Sequence, residues 1–338
     1  MANKINYLTL FFMVACLLSC KSKAGENSFS TTPVGFGDPF VMLYDGTYYA
    51  YGTNHPQGIA VFTSGDLRHW EKAPELALHE SNSWSDVPKN TFWAPEVYYV
   101  KAKKKFFMYY SSSEHICVAS SDSPLGPFIQ TKKKPMIEDE KCIDNSLFMD
   151  DDGTPYLYFD RFNDGLNIWV AELERDYETI KEATMTKCIH VSQPWEEVWP
   201  RVNEGGFVTK HKGVYYLTYS ANSFESPFYG IGCATATSPM GPWTKYDHNP
   251  IFQKPDTLVG IGHSAMFRDK NGKLRIVFHA HNSKEKIHPR LMYITDVVFT
   301  NDPTPIMKNP GEIIAYMGKN PEPLVDGCCD KKKTLQLP

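Results

Sequence analysis

The sequence predicts an all-β protein folded as a five-bladed β-propeller. Three observations predict it. Five segments share a turn followed by an aromatic or apolar strand: "DGTYYAYGT" from Asp45, "KKKFFMYYS" from Lys103, "DGTPYLYFD" from Asp152, "KGVYYLTYS" from Lys212 and "NGKLRIVFHAH" from Asn271. Aligned on Tyr48, Phe106, Pro155, Tyr215 and Leu274, they recur in steps of 58, 49, 60 and 59 residues, enough for four strands and their loops. No long stretch has helical periodicity; Val170–Ala183 comes nearest and reads as a surface excursion.

The elements follow in order. The opening "MANKINYLTLFFMVACLLSC" carries Lys4 and an apolar run far short of the roughly 20 residues that span a bilayer, so residues 1–19 read as a signal peptide. Its ending, Leu17-Leu18-Ser19-Cys20, resembles a bacterial lipobox, which implies a lipid on Cys20 and a place on a periplasm-facing membrane or the cell surface. Residues 20–33 are polar and suit a tether. Residues 34–320 hold the repeats, and 321–338 form a C-terminal tail with no room for a further carbohydrate-binding sandwich. Asp45-Gly46, Asp152-Gly153 and Asn271-Gly272 are hairpin turns, because both central residues of such a turn need positive φ. A second echo, "TSGDLRHWE", "SDSPLGPF" and "TSPMGPWTK", hands the chain to an outer strand.

The formal net charge of −4, or −5 without the segment containing Lys4, gives no basic excess for nucleic acid or an anionic surface. The eight cysteines form no C-x-x-C and no zinc spacing, and Cys117, Cys142, Cys188 and Cys233 read as buried small side chains.

Ten or eleven residues before each aligned strand position stand Asp38, Glu96, Asp144, Glu204 and His263, each just ahead of an apolar strand. The first strand of a propeller blade lines the central channel, so all five are expected at one mouth of it. Clustered like charges are costly to bury and persist mainly where chemistry needs them. "MDDDG" at Met149 lacks calcium-loop spacing and reads as a turn. Two carboxylates across a cleft, one acid and one base, suit glycosidic hydrolysis. The aromatic residues Phe36, Trp93, Trp199, Phe224 and Tyr229 are candidate sugar platforms. No G-x-S-x-G, H-E-x-x-H or phosphate-cradling loop competes.

In series, "DPF" with "GTYYAYGT", "WAPEVYY", "IDNSLF", "NEGGFVTKHKGVYYLTYS", "GHSAMF" and "PRLMYI" resemble glycoside hydrolase family 43, five-bladed propeller enzymes acting on arabinose- and xylose-containing polysaccharides. The resemblance implies Asp38 as general base, Asp144 as the residue that orients and tunes the acid, and Glu204 as general acid. It implies that His263 holds a water or a structural calcium ion, that Arg290 reaches the sugar pocket, and that no cofactor is needed for the chemistry. Phe36, Trp93 and Asn145 complete the expected substrate contacts. Glu96 is not one of the three catalytic acids and is expected to bond turn amides. The family inverts the anomeric centre, which requires carboxyls roughly 6.5–9.5 Å apart with water between them. "EGGF" departs from relatives that carry Pro after the glycine, and Asn145 stands where relatives vary. The leading expectation is an exo-acting α-L-arabinofuranosidase on plant cell-wall polysaccharide. β-Xylosidase, endo-arabinanase and galactosidase are alternatives on the same fold, and a non-catalytic glycan-binding lipoprotein is an alternative of another class. Retention of all three acids counts against the last.

Overall fold

The computed structural model describes residues 33–84, 91–198, 200–254 and 258–299, with the backbone of two further short strands, Tyr316–Met317 and Thr334–Leu337. The segment expected as a signal, Cys20 and most of the expected tether, Trp199, and Cys328-Cys329 lie outside the described residues.

Five sheets of sequentially antiparallel strands form five blades. Blade I runs Gly37–Tyr44, Thr47–Thr53, Val61–Ser64 and Glu71–Lys72. Blade II runs Phe92–Val100, Lys105–Ser112 and His115–Ser121, with a single bridge from Ser120 to Ile129 in the outer place. Blade III runs Cys142–Met149, Pro155–Phe162, Leu166–Glu172 and Thr186–Ile189. Blade IV runs Asn203–His211, Val214–Ala221, Gly230–Ala236 and Thr244–Lys245. Blade V runs Gly262–Arg268, Leu274–Ala280, Leu291–Phe299 and Tyr316–Met317, and Thr334–Leu337 pairs in parallel with its third strand. The five aligned segments of the sequence are the second strands with the turns that lead into them. Asp45 and Gly46 have φ of 45° and 72°, as their hairpin turn requires. The stretch from Val170 is not helical: it finishes the third strand of blade III, makes turns, and ends in one short 3-10 turn at Glu182–Thr184.

Alternating strand residues interleave between neighbouring blades. Val97, Met108 and Tyr110 of blade II join the core shared with blades I and V, whereas Phe107 and Tyr109 face blade III. Tyr158, Ile168, Leu217 and Tyr219 fill the gap between blades III and IV. Cys117, Cys142 and Cys233 are buried in these interfaces and Cys188 is partly so; all four are free thiols. The ring closes where blade V meets blade I, and the Met292 N–H donates to the carbonyl of Val34 at 3.0 Å.

Every inner strand carries the same irregularity. Two of its residues face one residue of the second strand, in the intervals Gly37/Phe40, Trp93/Glu96, Ile143/Ser146, Glu204/Phe207 and Gly262/Ala265. The first residue inside each bulge has left-handed backbone: Asp38 (φ 50°), Ala94 (43°), Asp144 (58°), Gly205 (61°) and His263 (47°). Bulges of this kind re-aim a side chain and bend the strand. Asp, His and Gly are residue types that tolerate the conformation; Ala94 is the exception.

Candidate active site

The bulges correct the register read from the sequence. Asp38, Asp144 and His263 are equivalent positions, but Glu204 stands one residue before its bulge residue and Glu96 stands two after. The turns between first and second strands differ in length, so counting back a constant interval drifts by up to two places. Asp38, Asp144, Glu204 and His263 nevertheless gather at one mouth of the channel. Glu96 lies deeper, hydrogen-bonded by the Tyr98 hydroxyl, which also approaches Ser146 Oγ at 3.4 Å. Burial pushes its carboxyl up to about 7. Its partner is a phenol and not the turn amides expected for it.

Residues just before the bulges form the rim: Gly37, Trp93, Ile143, Glu204 and Gly262. Trp93, Ile143 and Glu204 keep part of their surface open. The two glycines leave room for side chains from behind. A Cβ on Gly37 would lie 2.0 Å from Arg290 Nη2, and one on Gly262 would lie 2.1 Å from Tyr229 Cε1. Through the first gap Arg290 reaches Asp38, donating Nη1–H to Oδ1 at 2.7 Å and Nη2–H to Oδ2 at 3.0 Å. Through the second, Tyr229 donates its hydroxyl to Glu204 Oε1 at 2.7 Å. Thr53 Oγ1 donates to Asp38 Oδ2 at 2.7 Å, and His263 Nδ1 lies 3.3 Å from Oδ1.

A ring of hydrogen bonds between blades holds these bulges. In each blade the second-strand residue opposite the rim position accepts the N–H of the next blade's bulge residue. Thr53 Oγ1 takes Ala94 N–H at 2.9 Å, Ser111 Oγ takes Asp144 N–H at 2.9 Å, and Asp160 Oδ2 takes Gly205 N–H at 2.9 Å. Ser220 Oγ takes His263 N–H at 2.7 Å, and His279 Nδ1 takes Asp38 N–H at 3.1 Å, which closes the ring. Asp160 and His279 are absent from the residues singled out by sequence, although a signal was there. The five acceptors are the ninth residue of each of the five aligned segments.

The electrostatics separate the acids. Burial alone would raise Asp38, but the Arg290 guanidinium beside it, with the Thr53 hydroxyl, holds its carboxyl well below the usual range. Asp38 is an ionised carboxylate. Glu204 goes the other way: burial, helped by the charge of Asp38, lifts it to about 7, against the opposing pull of Tyr229 and Arg290. Burial with the charges of Glu204 and Asp38 pushes Asp144 well up, and burial beside Asp144 does the same to Asp160. Burial lowers His263 and His279, so both imidazoles are neutral at pH 7.

Several expected substrate contacts are corrected. Phe36 is fully buried, edge-on to Phe62 at 5.0 Å, and offers no face to a sugar. Asn145, 1% exposed, turns away from the mouth because it is the second bulge residue, and it donates Nδ2–H to the Cys117 carbonyl at 3.0 Å. Tyr229 is fully buried and stacks on His279 at 5.6 Å, so it braces Glu204 and is no platform. Arg290 grips the Asp38 carboxylate and lies over the Phe224 ring at 4.7 Å. Trp93, partly exposed on the rim, keeps a position suited to sugar contact.

The expected calcium finds a poor donor set. Hard cations want several oxygens. His263 offers one nitrogen, and the Asp38 oxygens nearest it already hold a guanidinium. Among the described residues no three His, Cys, Asp or Glu side chains gather around a common point. "MDDDG" is the expected turn, with Asp150 bonded to Lys210 and Tyr215.

Comparison with known proteins agrees with this geometry. The sequence profile described as glycosyl hydrolases family 43 matches residues 31–305. A solved structure of an endo-1,4-β-xylanase from Bacteroides thetaiotaomicron is 43% identical, superposes with a TM-score of 0.77, and covers 92% of this chain and 100% of its own. A β-D-galactofuranosidase of Aspergillus niger is 24% identical, covering 83% of each chain. An arabinoxylan arabinofuranohydrolase of Paenibacillus polymyxa is 27% identical over 72% of this chain, which spans 44% of that longer enzyme. A five-bladed ring, two carboxyls at one mouth whose proton affinities are driven apart, and a family profile running through all five blades have one common reading: the chain belongs to glycoside hydrolase family 43 and is a glycoside hydrolase.

Proposed function

We propose that the enzyme hydrolyses terminal α-L-arabinofuranosyl residues of plant polysaccharide or oligosaccharide with inversion. The observation that carries this is the split between two carboxyls at one mouth, Asp38 locked in its charged form by Arg290 and Glu204 kept near 7 by burial. In this reading Asp38 takes a proton from the attacking water while Glu204, its proton affinity lifted toward neutral pH, protonates the departing oxygen. Asp144, whose proton affinity is raised by burial and by the charges of Glu204 and Asp38, orients the acid. The rim supports a small sugar: its part-open residues are the apolar Trp93 and Ile143 and the acid Glu204.

The furanoside preference draws on two relatives named for furanosides, the galactofuranosidase and the arabinofuranohydrolase. β-D-Galactofuranose and α-L-arabinofuranose share the configuration of the ring. A second reading, cleavage of β-1,4-xylosyl bonds, draws on the xylanase name of the 43% identical structure. The nitrophenyl glycosides of α-L-arabinofuranose, β-D-xylopyranose and β-D-galactofuranose, with sugar-beet arabinan and xylan, separate these readings. Release of arabinose from the first glycoside and from arabinan is expected, with the opposite anomer appearing first by NMR. Turnover of xylan and xyloside alone would replace the arabinofuranoside reading with the second. The export and Cys20 lipid implied by the lipobox belong to the same proposal, and labelling with a radioactive fatty acid tests them against a Cys20→Ala variant.

A further inference from the structure

Asp160 is fully buried, with no cation among its hydrogen-bond partners. Its Oδ2 receives the Gly205 N–H, but its Oδ1 meets no hydrogen-bond donor. Across the strand pair Asp160 stands opposite Ile143, the residue before Asp144, so the acid whose charge bears on it most is the Asp144 carboxyl. Two buried carboxylates so placed repel each other; one proton between them turns the repulsion into a hydrogen bond.

The fivefold pattern shows which carboxyl donates. Thr53 occupies in blade I the place of Asp160 in blade III. Its single oxygen accepts the next blade's N–H, from Ala94, and its hydrogen goes to the bulge carboxylate of its own blade, Asp38. Asp160 likewise accepts the next blade's N–H, from Gly205, and adjoins the bulge carboxyl of its own blade, Asp144. An acceptor committed on one oxygen and a hydrogen on the other complete the parallel.

We propose that Asp160 works as a neutral carboxylic acid that accepts the Gly205 N–H through Oδ2 and donates its own proton to Asp144, and that it is thereby a positioning residue for Asp144 and Glu204. Gly205 is joined directly to Glu204, so one side chain fixes both the tuning acid and the backbone beside the proton donor. The groups facing this pair are Asp38, Glu204 and Arg290 on the mouth side and the Cys142 and Cys188 thiols beside Asp160, with His263 packed over Gly205; burial and the neighbouring carboxylates keep the proton on the pair, and the thiols, raised by burial, stay neutral. The inference rests on the roles given above to Asp144 and Glu204.

The test compares pH–rate profiles of kcat/KM for the wild type, Asp160→Asn, Asp160→Ala and Asp144→Asn, with a melt of each. An asparagine amide supplies the same acceptor and donor without a titrating proton. Asp160→Asn should therefore stay within about threefold of wild type, with its profile unmoved, since a matched replacement of both partners' needs is nearly neutral. Asp160→Ala removes the donor, so Asp144 binds its proton more tightly and presents less negative charge to Glu204. Its alkaline limb should move to lower pH. An infrared difference spectrum of wild type against Asp160→Asn should contain a protonated-carboxyl band that persists through neutral pH. That spectrum decides the matter even where the alanine variant does not fold. Loss of activity in Asp160→Asn, coincident profiles for the alanine variant and wild type, or absence of the band would overturn the proposal. An Asp144→Asn enzyme with a wild-type profile would instead overturn the tuning role of Asp144, which is a separate failure.

Discussion

Arg290 holds both carboxylate oxygens of Asp38 although 252 residues separate them. One end of the propeller thus grips the other through the side chain that we assign as base. Arg290→Met should leave Asp38 buried with Thr53 and two neutral imidazoles. Without the neighbouring cation the Asp38 proton affinity rises, and the acidic limb of the pH–rate profile should move up by about 1–3 pH units. The sign for stability is the same: a depressed carboxyl contributes stability above its unfolded value near pH 4, lost as the pH falls through the folded value. The variant should lose roughly 3–5 kcal/mol near neutral pH, read by denaturant titration. An unmoved acidic limb would show that another group controls it.

Acid and base are separable by leaving group. Glu204→Gln should lose about 10²–10⁴-fold on natural glycosides, whose leaving alcohols need protonation, and far less on a dinitrophenyl glycoside. Asp38→Asn should lose both alike, because the attacking water needs a base in either case. Equal loss of both substrates in the Glu204 variant would reverse the assignment.

Tyr229 is the hydrogen-bond donor to Glu204. Its hydroxyl donates to Glu204 Oε1, in a mouth where Ser220 Oγ accepts the His263 backbone N–H. The acidic proton of Glu204 is left to Oε2. A hydroxyl donor favours ionised Glu204, so Tyr229→Phe should raise its proton affinity and move the alkaline limb up by about one pH unit. Gly262→Ala, whose methyl occupies the place of the Tyr229 ring, should share the defect and lose about 1–3 kcal/mol of stability besides. A Tyr229→Phe profile superimposable on wild type would mean that the hydroxyl braces the fold and does nothing to the acid.

Glu96 carries the opposite expectation. It lies below the mouth, bonded to Tyr98, so Glu96→Gln should keep activity within a few-fold. Its carboxyl is held near 7, so folding raises its proton affinity. That favours the fold at low pH and is lost between the unfolded value near 4.3 and the folded one. The wild-type melting temperature should therefore fall more steeply than that of Glu96→Gln from pH 5 to 8. Parallel curves would place the Glu96 proton elsewhere.

The repeats, the hairpin turns at Asp45-Gly46 and its counterparts, and the polar residue types at strand starts were legible in the sequence because they are local. A two-residue turn demands positive φ wherever it occurs, and a strand that lines a channel shows its pattern within ten residues. Asp38, Asp144, Glu204 and His263 were found in this way, and the family resemblance follows from the same stretches. Register was not legible to the last residue. Bulges insert a residue without a sequence mark, and unequal turns made Glu96 look equivalent to Asp38 when Ala94 is. The partners were less visible still. Asn145 adjoins Asp144, yet consecutive strand residues point to opposite faces, and Phe36, just ahead of the inner strand, packs into the core against Phe62. Only closure of the ring brings Arg290 to Asp38, Tyr229 through the gap at Gly262 to Glu204, and Asp160 between Asp144 and Gly205. Each is a contact between blades, whose strength depends on burial and distance in space, and chain order records neither.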